Sequence, residues 1–338
     1  MKKFSAMLWA VLLCLALCAC AGTKSDESES PVPEAEAQEV ISAAEIYTDS
    51  HEVGPVLPEE IRALAEAAPP IWTTLNTEAS GVLTYENEEA IIDYSNTKDG
   101  YVMIKYLGET DQKLKARLYG PSTIYTYTLH KGQWETFPLS DGNGSYDVTV
   151  YCGTGGSRYA TMLTIDIYVE LEDEFAPFLR PNQYVDYMVA PNAIAKAEEL
   201  TADIPETLDK VAAIYDYVVD NFVYDDYKAA TVKSGYLPVL DLVLAEQKGI
   251  CFDYASLMAG MLRSLGIPCK LIVGYAGSAY HAWISVWTEE FGWIDGAIYF
   301  DGTTWHRMDP TFASSAQRSE YVMDFIANDN NYSTKYSY

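Results

Sequence analysis

Three side chains in this sequence can do covalent chemistry together if a fold gathers them. They are Cys251 in GICFDYASLMAG, His281 in YHAWISVW and Asp309 in HRMDPTF. A thiol attacks as its thiolate, and an ordinary cysteine ionises near pH 8.5, so at neutral pH it needs help. An imidazole within hydrogen-bond reach can take the proton. A carboxylate on the far imidazole nitrogen fixes the tautomer and steadies the cation that forms. Each residue also has a plain structural use: a cysteine fills small core gaps, and an aspartate before proline ends a strand.

The local patterns decide which use is open to each. Cys251, Tyr254, Ala255, Met258, Leu262 and Leu265 fall on one helical face, and Gly266 followed by Pro268 stops the helix. Cys251 therefore sits in the first helical turn, where unpaired N–H groups and the helix dipole favour a thiolate. His281 opens a run of strand period, with Trp283 on the same face; Asp309 stands at a strand end, fixed by Pro310. The interval TEEFGWIDGAIYFDGTT reads as an extended hairpin and offers two rival carboxylates, Asp295 and Asp301. Gln247 can donate to an oxyanion or simply end a helix in solvent; the dependable donor is the Cys251 backbone N–H. Asp253 reads as a complement to the helix dipole, Cys269 as a packing residue, Trp283 and Trp287 as core, and His306 as surface.

These segments must be positioned by the rest of a 338-residue chain, long enough for two domains. It is 49% hydrophobic and 21% charged, so most of it can bury a core. A formal net charge of −27 argues against nucleic acid or anionic lipid headgroups as electrostatic partners. With 27 tyrosines against 10 phenylalanines, the composition suits half-buried sheets. No histidine pair has helical ligand spacing among His51, His130, His281 and His306, so neither a metal nor another cofactor is expected. Cys152, Cys251 and Cys269 do not make a disulfide framework.

Lys2, Lys3 and the apolar run Met7–Leu17 read as an export signal over residues 1–19. The following Leu17-Cys18-Ala19-Cys20 resembles the lipobox of bacterial lipoproteins, which implies cleavage before Cys20 and lipid on that residue. Residues 20–56 are acidic and rich in Ser, Pro and Ala, a flexible tether. Residues 57–180 are expected to hold a short helix at 57–68 and then a β-sandwich, from eight short alternating runs punctuated by NTKDG, HKG, DGNG and GTGG. In SYDVTVYC, Tyr146, Val148, Val150 and Cys152 share the inward face. The proline-bearing stretch FAPFLRPNQYVDY reads as a crossing between domains with few shared contacts. Residues 188–338 then change to helices followed by short strands, an α+β pattern; Leu208, Val211, Tyr215, Val218, Val219 and Phe222 form one apolar stripe.

GICFDYASLMAGMLRSLGIPCKLIVGY, then HAWISVW, then WHRMDPTF resembles the transglutaminase-like core. This is the papain-like thiol superfamily of transglutaminases and related bacterial cysteine peptidases. The resemblance covers about residues 200–315 and keeps the family order of the three segments. It implies an α+β fold, with helices packed on an antiparallel sheet and preceded by an immunoglobulin-like sandwich. It further implies Cys251 as nucleophile, His281 as acid and base, and Asp309, in the MDPTF signature, as the orienting carboxylate. The expected activity is acyl transfer or hydrolysis through a thioester on protein, peptide or cell-wall peptide, by an extracytoplasmic protein anchored to the membrane through its lipid. The competing expectation is a binding module that uses the same fold as a scaffold.

Overall fold

The computed structural model describes residues 75–289, 291–295, 297–300, 305–308, 311 and 329–338. Cys20, the tether, the 57–68 helix, Asp301 and Asp309 lie outside the described residues.

All eight alternating runs form strands: β1 (Thr84–Glu86), β2 (Ala90–Asp93), β3 (Tyr101–Tyr106), β4 (Leu114–Tyr119), β5 (Ile124–Leu129), β6 (Trp134–Pro138), β7 (Gly144–Gly155) and β8 (Arg158–Val169). Period-two burial makes them two-faced. In β4, Leu114, Ala116 and Leu118 are buried while Lys115, Arg117 and Tyr119 are half-buried. They pair antiparallel in two sheets, β1-β2-β3-β6 and β5-β4-β7-β8. The chain changes sheet so that β6 returns beside β3 and β7 beside β4, the Greek-key crossing of immunoglobulin-like sandwiches. Tyr127 of one sheet meets Phe137 of the other with ring centroids 4.9 Å apart, so the inner faces pack on each other. Tyr146, Val148 and Val150 are buried as expected. Cys152 is only half-buried, because β7 runs on past it into exposed Thr154 and Gly155 at the open end of the ladder.

The crossing departs from its expected role. Phe178, Tyr184, Val185 and Tyr187 are buried, so this aperiodic stretch is part of the core and not a free linker. Tyr184 stacks on Tyr127 of the sandwich (5.5 Å) and packs edge-on against Phe252 of the helical region (5.5 Å). Tyr336 and Tyr338 add contacts to Tyr125 at 5.9 and 5.6 Å. Tyr125, Tyr127, Tyr184, Tyr336 and Tyr338 thus gather at a joint between the two halves, where aromatic rings fill volume.

Beyond the crossing come α1 (Pro191–Thr201), α2 (Thr207–Asn221), β9 (Val223–Tyr224), α3 (Asp226–Thr231), α4 (Leu240–Glu246), β10 (Lys248–Gly249) and α5 (Cys251–Ser264). Pro205 and the extended Glu206 precede α2. The stripe of α2 is buried at Val211, Ile214, Tyr215, Val218 and Val219. Then follow β11 (Cys269–Ala276), β12 (Ala279–Thr288), β13 (Gly292–Asp295), β14 (Ala297–Phe300), β15 (Trp305–Met308) and β16 (Tyr332–Ser337). A four-stranded antiparallel sheet, β13-β12-β11-β16, backs α5, whose other sides meet α1, α2 and α4. The result is an α+β core behind an all-β sandwich.

Arg263, in the last turn of α5, is 2% exposed, and its guanidinium donates to main-chain oxygens rather than to a side-chain carboxylate. The acceptors are the main-chain oxygens of Cys269 (2.9 Å), Arg180 (2.8 Å) and Tyr338 (2.6 Å), which ties helix, crossing and sheet together. Burial brings its pKa down to about 10, so it stays charged at neutral pH. Arg263→Met should lower stability by about 3 kcal/mol or more, since a buried carbonyl left without a donor costs about 1–3 kcal/mol. A urea midpoint unchanged by that substitution would show the ties to be idle.

Candidate active site

Cys251 is the first residue of α5, and Ile250 before it is extended (φ −101, ψ 176). A short strand pair delivers the chain to this point: β10 runs parallel to β9, and Asp225 N–H donates to the Gly249 carbonyl at 2.9 Å. The thiol is free and half-buried, in contact with the core yet reachable. From Phe252 to Arg263 every residue of α5 is buried, so the helix is a rigid mount.

Gly249 explains the Gly-x-Cys spacing. A Cβ on it would lie 2.7 Å from Cβ and 2.8 Å from Oδ2 of Asp253. Asp253 folds back over Gly249 to accept the Ile250 N–H at 2.8 Å, closing the helix start. Gly249→Ala should therefore disturb the start of α5, and it should lower Cys251 alkylation at neutral pH severalfold while far-ultraviolet circular dichroism stays near wild type. An unchanged alkylation rate would show that the close approach is not needed to hold the thiol.

Asp253 proves to be more than a dipole complement. It is fully buried and pairs with the Lys228 ammonium at 2.7 Å. Tyr236 donates to its other oxygen at 2.5 Å. Neither Lys228 nor Tyr236 is marked by spacing in the sequence. Gln247 caps α4 in the left-handed region (φ 48) with an exposed side chain, which places it as a helix-end residue.

His281 lies on β12 and is 5% exposed. Strand β12 packs against α5, so the two candidate residues are carried by touching elements. Opposite His281 in the β11 register is Gly274. A Cβ there would come within 2.0 Å of the Ser333 carbonyl and 2.9 Å of the Trp283 ring. The missing side chain admits Trp283, which is buried and stacks on the His281 ring with centroids 6.1 Å apart. Trp283 is thus core, as its alternation predicted, and also the wall against which the imidazole rests. The partner face of Trp287 meets Phe175, at 4.5 Å.

The register of β13 places one of the rival carboxylates. Asp295 pairs with Ser285, not with His281. Four residues along a strand is about 13 Å, beyond the reach of an aspartate and a histidine joined by one hydrogen bond. The hairpin then turns back: β14 packs against β12, and β15 pairs with β14 from Ala297↔Met308 to Phe300↔Trp305. Asp309 follows Met308 directly in the chain. His306 falls on β15 opposite Tyr299.

Cys269 is completely buried, and burial pushes its thiol up to about 12, which makes it a poor nucleophile and a good packing residue. Among the described residues no group of three or more His, Cys, Asp or Glu is arranged to hold a metal ion. Nor is any described helix long and apolar enough to cross a membrane.

The chain is similar to known proteins, and one family match is placed on this region. Residues 194–310 match the family model described as the transglutaminase-like superfamily. A protein-glutamine gamma-glutamyltransferase of Pseudomonas aeruginosa is 28% identical over 158 residues, covering 42% of this chain and 21% of the relative. The uncharacterized protein YebA of Bacillus subtilis is 29% identical over 132 residues, 32% of this chain and 18% of the relative. The matches thus span about a fifth of these relatives' own length. The crystal structure of the periplasmic domain of TgpA from Pseudomonas aeruginosa is similar at 18% identity, covering 63% of this chain and 92% of that one with a TM-score of 0.32. Cys251 and His281 both lie inside the matched segment, on a helix N-terminus and a packed antiparallel strand. It is over residues 194–310 that the chain matches the transglutaminase-like superfamily.

Proposed function

We propose that this protein is a thiol acyltransferase or amide hydrolase working through Cys251, His281 and Asp309. The observation that carries the reading is the placement of a free, half-buried thiol at the first residue of a buried helix, on an element packed against the strand of a buried histidine. The helix N-terminus favours the thiolate, and His281 takes the proton. The thiolate attacks the carbonyl carbon of a carboxamide or peptide, and the oxyanion is met by backbone N–H of the first turn. Collapse expels ammonia or an amine, which takes its proton from His281, and leaves a thioester on Cys251. An incoming amine gives a new amide; water gives a carboxylic acid. In both cases the thiol is regenerated. Asp309 holds the far imidazole nitrogen, a role supported by the hairpin register that carries Asp295 away.

The substrate class is protein, peptide or cell-wall peptide. The acidic balance of −27 suits neutral or cationic partners, lysine side chains among them. The protein acts outside the cytoplasm, held to the membrane by lipid on Cys20; Cys20→Ala should move it from the membrane pellet to the soluble fraction, and an unmodified mature start downstream of residue 20 would contradict the anchor. The activity is tested with a glutamine-containing donor and a broad primary amine, following amine incorporation and ammonia release in parallel. Incorporation means transfer, ammonia alone means hydrolysis. Identical traces from wild type and Cys251→Ala would leave the binding-module function in place of the enzyme.

A further inference from the structure

Asp253 sets a problem for its neighbour. A carboxylate shut away from water and folded onto the Ile250 N–H adds negative charge at the helix start that carries the thiol, and negative charge there opposes thiolate formation. It also takes up part of the helix N-terminal field by accepting the Ile250 N–H. Lys228 answers it. Its ammonium lies 2.7 Å from Asp253 Oδ2, donates to the Tyr236 hydroxyl at 2.5 Å and sits 4.3 Å from the centre of that ring. Its side chain is only 25% exposed, so water screens the pair weakly.

Several other described charges on the elements around α5 already have partners. Asp225 and Lys248, flanking β9 and β10, pair at 3.0 Å. Asp241 of α4 is taken up by the N–H groups of Asn192 and Ala193 at the start of α1. Lys270 of β11 lies over the Trp293 ring at 3.7 Å. Tyr215 of α2, Tyr224 of β9 and Tyr254 of α5 are phenols, uncharged at neutral pH. His281 of β12 is the base itself.

We infer that Lys228 is a positioning residue for the acyl transfer proposed above: its ammonium cancels the Asp253 charge, so one carboxylate can close the start of α5 without suppressing the Cys251 thiolate. The inference rests on the reading of Cys251 as nucleophile. It also ties α3 to the site, since Asp225 caps α3 by accepting the Lys228 N–H at 2.9 Å, while Tyr236 closes the far end of the same segment.

The test is the pH dependence of Cys251 alkylation by iodoacetamide in the full chain, read by peptide mass spectrometry. Lys228→Met and Lys228→Gln should each move the midpoint of reactivity about one pH unit toward alkaline, or about tenfold in rate at pH 7, the size a nearby charge commonly produces. The Gln variant keeps donors for Asp253 and Tyr236, so it serves if the Met variant does not fold. Lys228→Arg should stay near wild type. Lys228→Met combined with Asp253→Asn should return toward wild type, because the offending charge leaves with its partner. A merely structural pair would alter yield or melting temperature without moving the midpoint. An unmoved midpoint in Lys228→Gln, or no recovery in the double variant, overturns the inference. A wild-type Cys251 that reacts no faster than Cys152 would instead strike the nucleophile reading itself.

Discussion

Asp309→Asn should fold normally and lose acyl transfer by roughly 10⁴-fold, the loss seen when a neutral amide holds a catalytic imidazole in the wrong tautomer. Asp295→Asn should remain close to wild type, because its strand register sets it opposite Ser285, about 13 Å along the strand from His281. Asp301→Asn should behave like Asp295→Asn. The contrast is what gives the experiment its force: three conservative changes in one hairpin, a single dead variant. If Asp295→Asn is inactive and Asp309→Asn active, the hairpin has been threaded wrongly. Circular dichroism and the urea midpoint of each variant separate a wrongly held imidazole from a lost fold.

Cys251→Ala carries the second large effect. It should abolish thioester formation outright, since a thioester needs the thiol sulfur. His281→Ala should come close to the same loss, because an unassisted thiol at neutral pH is mostly protonated. The two losses should not add: in a nucleophile-base pair, removing either member removes the function of both. A double variant much less active than Cys251→Ala would mean that another nucleophile contributes. Mass spectrometry of the acid-quenched enzyme, looking for an acyl adduct on the peptide that begins the helix, reports the effect without relying on turnover.

Much of this arrangement is local, and local features are legible. Cys251 announces its place because apolar residues recur at helical spacing behind it, and because Gly266 and Pro268 end the run. The sandwich strands show themselves by period two, a consequence of one face buried and one wet. The crossing was misleading for the opposite reason. Phe178, Tyr184 and Tyr187 are buried without belonging to any regular element, so no period marks them. Arg263 looks like a solvated helix end, and only the approach of the Arg180, Cys269 and Tyr338 main-chain oxygens gives it a buried task. The Lys228–Asp253 pair is likewise set by packing between α3 and α5, which no spacing in the sequence encodes. Strand register sets Asp295 opposite Ser285 and not His281, a property of pairing rather than of composition.

The most direct measurement of the central claim is a competition among thiols within one molecule. Cys152, Cys251 and Cys269 are all free; the first two are half-buried and the third is completely buried. Exposure alone therefore predicts that Cys152 and Cys251 react alike, with Cys269 slowest. Activation at a helix N-terminus beside a histidine predicts otherwise. With limiting iodoacetamide at pH 6.5, peptide mass spectrometry should find Cys251 alkylated at least about tenfold faster than Cys152, an advantage that disappears in His281→Ala. Equal rates for Cys251 and Cys152, or an advantage indifferent to His281, would contradict the account.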